Sequence, residues 1–268
     1  MIKNKQKGSI SIHGGFSDEL FDDWNTVENK RMALVQIIRE GYEFLETDAP
    51  VVEVASHVIK LLENNPLFNA GGKGGKIQQD GMARFSASIM VGDYKDVLRK
   101  FAGVININSI EFPSQVVLQL LKRREINNSV LSGAGATDYA NKTGISFYPF
   151  TTKERFEEWR KTFGSDSSGR EHKKTSTVGV VISTPEQPLV AMTSTGGTTG
   201  NCGGVGLGTR GCLLAIMQDL MSQFHVLAGV RKLLMKGSLH QFMPWLNWGE
   251  LIWRVLLRQY SVGVKIFK

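Results

Sequence analysis

The chain has 268 residues, 41% of them hydrophobic, and a formal net charge of +7, a length that holds one large core or two modest ones. No apolar run is long enough to span a bilayer and the opening MIKNKQKGS has no apolar signal core, so composition predicts a soluble, cytoplasmic protein that does not act at a membrane. The excess charge would suggest nucleic acid, but from residue 211 onward seven Lys/Arg stand against Asp219 and Glu250, so most of it lies in the tail, and no nucleic-acid partner is expected. Cys202 and Cys212 form neither a disulfide framework nor a metal pattern.

In chain order, Gly8–Ile12 reads as a short strand running into His13-Gly14-Gly15. A single His there is read as a packed strand-end residue and given no chemistry. Met32, Val35, Ile38, Tyr42 and Leu45 follow helical spacing, with Lys30, Arg31, Arg39 and Glu40 off the stripe. Asp48 precedes Ala49-Pro50 as an expected N-cap. The helix that follows turns Val51, Val54, Ala55, Val58, Ile59 and Leu62 inward. It gives way to L-L-E-N-N-P-L-F-N-A-G-G over 61–72, which by itself fits a helix C-terminus closing in a Gly turn. Strands are expected over Ser86–Gly92, Phe101–Asn106 and Asn128–Leu131, and an amphipathic helix over Pro113–Lys122 buries Val116, Val117, Leu120 and Leu121. The glycines of S-G-A-G-A-T-D-Y-A-N-K-T-G, 132–144, are read as packing residues between strand and helix.

From Thr151 the chain turns polar. One short helix is expected around Arg155–Arg160, and Ser165–Lys174 has almost no apolar residue, too little to bury and stay ordered. Then come two apolar strands, Thr177–Ser183 and Leu189–Ser194, joined by a Pro-bounded turn. Antiparallel pairing brings Thr177 and Thr195 together at one end, so two hydroxyls stand side by side. Gly196-Gly197 follows, backbone thin enough for a ligand to approach. A hydroxyl nucleophile needs a base, and a Thr supplies its own α-amine if the preceding peptide bond is cut. A Val-rich core hairpin that ends in Thr is the plain alternative.

The pattern S-T-V-G over 176–179 with T-S-T-G-G over 193–197 resembles the plant-type isoaspartyl peptidase/L-asparaginase family of N-terminal-nucleophile hydrolases. The stretches L-E-N-N-P-L-F-N-A-G, 62–71, and 132–144 resemble that family as well, and so does the opening strand with its H-G-G. The resemblance implies self-cleavage between Ser176 and Thr177, with Thr177 as nucleophile, Thr195 as supporting hydroxyl and Asn69 steadying the nucleophile. It implies substrate binding at Gly196 and Gly197. It further implies a structural sodium ion held by the main-chain oxygens of Leu62, Glu63, Asn65, Phe68, Ala70 and Gly72, the oxygen donors a hard cation takes, and no cofactor for catalysis. The implied fold is α+β, a four-layer αββα sandwich. Residues 1–150 would be the core of a first subunit and 151–176 a mobile linker ending at the cut. Residues 177–209 would begin the second subunit, and the product would pair as a dimer of cleaved heterodimers. The partner would be a small-molecule or dipeptide substrate.

The resemblance has gaps. Ser86 and Val91 stand where the family has acids, so the contacts those acids make to neighbouring loops are not expected here. Gly204 stands in the place of an Arg and Leu207 in that of an Asp, the pair that fixes the substrate's α-carboxylate and α-amino group. Bidentate Arg–carboxylate pairing is hard to replace, and each lost contact is worth roughly 1.5–3 kcal/mol.

Beyond Thr209 the protein sequence shows no resemblance, and 210–268 reads as a non-family tail. When the last base of each codon is read with the first two of the next, Phe224/His225 gives Ser or Pro and His225/Val226 gives Cys or Arg. Val226/Leu227 then allows Thr, Leu227/Ala228 and Gly229/Val230 allow Gly, and Val230/Arg231 allows Glu. That spells S-C-T-G-x-G-E, the family's oxyanion strand, and predicts a frameshift near residues 198–212. Alternatively the tail is native, with helices over Cys212–Leu220 and Phe242–Leu257. In that case Trp245, Trp248, Ile252, Trp253 and Leu256 could form a membrane-surface face beside Arg254 and Arg258.

Two function classes follow: an asparaginase/isoaspartyl-peptidase precursor, or an inactive, pseudogene-like relative lacking the clamp and oxyanion strand. Glycosylasparaginase is a weaker third, because it typically shows T-S-T-N-G where this chain has T-S-T-G-G.

Overall fold

The computed structural model describes residues 8–15, 24–92, 101–123, 128–145, 152–163, 177–187, 189–197 and 263–266, the last by backbone alone. Six helices and seven strands are described. In chain order they are β1 (Ser9–His13), α1 (Trp24–Glu46), α2 (Val51–Glu63), α3 (Gly71–Gly74), β2 (Arg84–Val91), β3 (Phe101–Asn108), α4 (Pro113–Lys122), β4 (Val130–Ser132), α5 (Gly133–Lys142), α6 (Lys153–Phe163), β5 (Val178–Ser183), β6 (Val190–Thr195) and β7 (Gly263–Ile266).

The strands form one sheet in the order β4-β3-β2-β6-β5-β1-β7. Every pairing is antiparallel except β3 with β4. Helix α4 makes the crossover between those two, as a parallel pair requires. The sheet's alternation sorts its residues onto two faces. Ile10, Ile12, Val178, Val180, Ile182, Val190, Met192, Ala87, Ile89 and Val91 share the face that joins the helices α1, α2 and α4 in one apolar core. The opposite face is small and polar in its middle. The register sets His13, Gly179, Thr193 and Ser88 in one cross-strand row, with Thr195 and Ser86 in the next. Those hydroxyl residues are buried as well. The α+β class of the fold is as expected. A second sheet is not among the described residues.

Helix α2 turns inward all six residues assigned to its stripe. Its start differs from expectation. Asp48 does not cap it but sits in the left-handed region at φ 60, and Pro50 occupies the N-cap without a side-chain bond. The cap comes from the β5–β6 turn, where Gln187 Oε1 accepts from Val51 N at 2.9 Å and Gln187 Nε2 donates to Ala49 O at 3.2 Å. The stripe of α1 holds at Ile38, Tyr42 and Leu45 and fails at its start. Met32 is 60% exposed, and the buried set is Val27, Leu34, Ile37, Ile38, Tyr42 and Leu45. The helix turns on Gly41, where a Cβ would lie 2.5 Å from Val58 Cγ2 of α2 and 3.6 Å from Ile10 Cδ1 of β1.

Helix α4 has the expected bounds and buried residues, while β4 begins two residues later than expected and runs into α5. Among the described residues the glycines there do not serve as packing residues. Among the described residues nothing lies within 4 Å of a Cβ built on Gly133 or Gly135, and Gly133 is needed instead for its φ of +54. The tail contributes β7, paired with β1 at Ile10↔Ile266 through His13↔Gly263. The helices expected at 212–220 and 242–257 and the linker 165–174 lie outside the described residues.

Candidate active site

The β5–β6 hairpin occupies the centre of the sheet, flanked by β1 and β2. Its last registered pair is Val178↔Ser194, which leaves Thr177 and Thr195 facing each other one step further out. Thr177 is half-buried, and Thr195 is 1% exposed and pairs on its other side with Ser86 of β2. The antiparallel pairing of the two strands is as expected, and continuing its register by one step sets Thr177 opposite Thr195. Beneath them, Ser88 Oγ and Thr193 Oγ1 share a buried hydrogen bond of 3.0 Å. Ser86, in the place of a family acid, accepts from Asn106 N at 3.2 Å across a bulge in β2–β3.

The segment after α2 reaches this hairpin through Asn69, which is 4% exposed. Asn69 O accepts from Gly196 N at 3.0 Å and Asn69 Nδ2 donates to Gly197 O at 2.7 Å. Its Oδ1 accepts from Lys76 N at 3.1 Å. One side chain thus ties the end of β6 to the strand-like segment beyond α3. Gly196 is required for that closeness, since a Cβ there would lie 2.5 Å from Gly75 Cα and 2.6 Å from Asn69 Oδ1. The room beside Gly196 that the sequence suggests for a ligand is filled, on the Cβ side, by the protein itself. Gly197 has φ +75 and lies against Arg84 O and Gln78 Nε2.

Sequence reasoning missed that outer wall. Arg84 donates to Gln78 Oε1 at 2.6 Å and grips Asp80 through both Nη atoms, at 3.0 and 2.8 Å. This holds the Asp80 carboxyl below the ordinary aspartate range. Helix α6 leans on the same segment through Lys76–Glu158 at 3.5 Å and through Trp159 beside Gly81. Sequence offered one signal for the wall, the Q-x-D-G turn spacing of 78–81.

The residues proposed for a cation form a tight curl between α2 and α3. Leu62 O accepts from Asn65 N, Asn65 O from Phe68 N and Phe68 O from Ala70 N, at 2.9–3.3 Å. Gly74 packs so closely on Phe68 O that a Cβ there would meet it at 1.7 Å. The Glu63 carboxylate does not face the curl. It takes Ser114 N, Ser114 Oγ and Ser194 Oγ at 3.1, 2.6 and 2.7 Å. Burial pushes it up to about 7, against the pull of the Ser114 and Ser194 hydrogen bonds. No cluster of three His, Cys, Asp or Glu fit to hold a metal occurs among the described residues, and no described helix is long and apolar enough to cross a membrane. Ser176, Gly204 and Leu207 lie outside the described residues.

The sequence profile described as Asparaginase matches residues 6–206, and the chain belongs to that family. It is 35% identical over 200 residues to the isoaspartyl peptidase/L-asparaginase of Synechocystis sp., covering 70% of this chain and 57% of that protein. It is 31% identical over 210 residues to the plant-type L-asparaginase of Pyrococcus furiosus, covering 70% and 63%. With the mouse isoaspartyl peptidase/L-asparaginase the identity is 30% over 195 residues, covering 70% and 56%. The chain thus spans less than two thirds of the length of these relatives.

Proposed function

We propose that this chain is the precursor of a threonine-nucleophile amidohydrolase that acts on the side-chain amide of asparagine or on β-aspartyl dipeptides. The observation that supports the reading is the hairpin register, which ends at Val178↔Ser194 one step short of Thr177 and Thr195, beside the Asn69 tether. In the first step Thr177 Oγ attacks the carbonyl carbon of Ser176. The Ser176–Thr177 C–N bond breaks, an ester forms, and water hydrolyses it to leave Thr177 with a free α-amine. In turnover that amine takes the Oγ proton as Oγ attacks the substrate carbonyl, and returns it to the departing ammonia or peptide amine. Water then cleaves the acyl-enzyme. Thr195 supports the nucleophile, while Gly196 and Gly197 border the substrate.

A sodium ion in the 62–72 curl fits the donor chemistry. Main-chain oxygens suit a hard cation, and each carbonyl already used once keeps a second lone pair. Its residues would be Leu62, Glu63, Asn65, Phe68, Ala70 and Gly72, and its charge would stiffen the segment that presents Asn69. By the same resemblance the protein is cytoplasmic and pairs as a dimer of cleaved heterodimers.

The missing clamp has an explanation in codons. Reading third base with the next two, Gly204/Val205 allows Gly, Val205/Gly206 Arg, Gly206/Leu207 Val, Leu207/Gly208 Gly and Gly208/Thr209 Asp. That is G-R-V-G-D, in the same shifted frame as S-C-T-G-x-G-E further on. We infer a slip between Gly197 and Gly204, repaired by one added nucleotide. Resequencing across those codons tests it, and a confirmed single frame overturns it. The second reading is an inactive relative that lacks the clamp and the oxyanion strand. A gel of the purified chain, with Thr177→Ala beside it, and an ammonia-release assay with asparagine separate the two readings.

A further inference from the structure

The mechanism leaves one buried acid unused. Glu63 is 1% exposed at the last turn of α2, and its carboxylate takes hydrogen bonds from two other elements. Oε1 accepts from Ser114 N at 3.1 Å and Oε2 from Ser114 Oγ at 2.6 Å, which caps α4, a helix with no side-chain cap of its own at Phe112. Oε1 also accepts from Ser194 Oγ at 2.7 Å. Ser194 turns its side chain to the helix face of the sheet while Thr195, the next residue, turns to the other face. The Glu63 stem packs on Gly71, where a Cβ would meet Glu63 Cβ at 2.5 Å and Cγ at 2.9 Å. Gly71 opens α3, two residues after Asn69.

We propose that Glu63 is a positioning residue: its carboxylate fixes the end of β6 that carries Thr195, and its stem fixes the segment that presents Asn69. Fixed at both ends, the Asn69–Gly196–Gly197 contacts close in one geometry. A backbone ladder alone would leave the terminal pair of β6 free to fray, and hydrogen bonds to a charged or strongly polar buried acceptor are the ones that resist it. The inference concerns the main-chain geometry around Thr195 and Asn69, and its use in catalysis rests on the reading of Thr177 given above.

The test is hydrogen–deuterium exchange on the full chain, with the rate of cleavage at Ser176–Thr177 followed in parallel. Ser194→Ala should raise exchange over 190–197 about tenfold while 113–122 keeps its protection. Ser114→Ala should do the reverse, loosening 113–122 alone. Glu63→Gln keeps an acceptor oxygen and should exchange near the parent rate. Glu63→Met should match Ser194→Ala over 190–197 and Ser114→Ala over 113–122, and Glu63→Ala, which removes the Cγ beside Gly71, should loosen 65–76 as well. If Glu63→Met does not fold, the two serine variants decide. Parent-like exchange over 190–197 in Ser194→Ala overturns the proposal. A parent chain that is never cut, with exchange responding as described, would remove the assignment of Thr177 and leave that of Glu63 standing.

Discussion

Replacing Asn69 by Ala strips the joint between the hairpin end and the segment beyond α3. Two side-chain hydrogen bonds go, Nδ2 to Gly197 O at 2.7 Å and Lys76 N to Oδ1 at 3.1 Å, while the main-chain bond from Gly196 N to Asn69 O survives. The side chain is buried but its two partners lie in a part-buried site. Leaving a buried donor or acceptor unsatisfied costs about 1–3 kcal/mol each, and partial access to water pulls both toward the low end. The expected loss is therefore about 2–4 kcal/mol, within the 5–15 kcal/mol of a typical domain, so the variant folds and is weaker. Urea unfolding of parent and variant gives the stability, and a gel time course gives cleavage at Ser176–Thr177. Cleavage should fall by at least about 100-fold, which corresponds to some 2.7 kcal/mol at the barrier. Asn69→Asp separates the two bonds. It keeps an acceptor for Lys76 N but sets an oxygen against Gly197 O, so it should cut no faster than Asn69→Ala. A variant within about 0.5 kcal/mol of the parent that is cut at the parent rate would refute the reasoning.

Gly196→Ala places a methyl 2.5 Å from Gly75 Cα. Backbone there has to move, so uncut chain should accumulate on the gel even where circular dichroism is unchanged. Gln187→Ala removes the cap of α2 and should cost about 1 kcal/mol, the usual worth of an N-cap, read as a lower urea midpoint with the slope unchanged. Asp80 is held below its ordinary value chiefly by its hydrogen bond to Arg84. Because the folded value is the lower one, the pair's contribution is present above the unfolded aspartate range and is lost as pH falls through the folded value. Carboxyl titration by NMR should show Asp80 returning toward the usual range in Arg84→Ala.

Much of this was legible in the sequence because regular packing writes regular patterns. The stripe of α2 and the bounds of α4 follow from apolar spacing alone, and the register of β5 and β6 follows from two apolar strands with a short turn between them. Met32 shows the limit of spacing. It lies on an arithmetically good stripe, yet it is exposed while Leu34 and Ile37, off that stripe, are buried beside Ile38. Asp48 was a reasonable cap by type, but the α2 N-terminus faces the β5–β6 turn, so a glutamine 136 positions away does the capping. Tertiary partners of that kind leave no local mark. The same holds for Glu63, whose carboxylate meets Ser114 and Ser194 only once the sheet and α4 are assembled. Strand β7 is four residues long and pairs at the end of the described sheet, too short a pattern to stand out in the sequence.

Intact-mass and N-terminal sequence measurement of the purified chain, with its reading frame verified, tests the central claim most directly. The account predicts two fragments, the second beginning at Thr177, and a single uncut chain in Thr177→Ala. One unbroken polypeptide in both, stable at neutral pH in a frame-restored gene product as well, would contradict it.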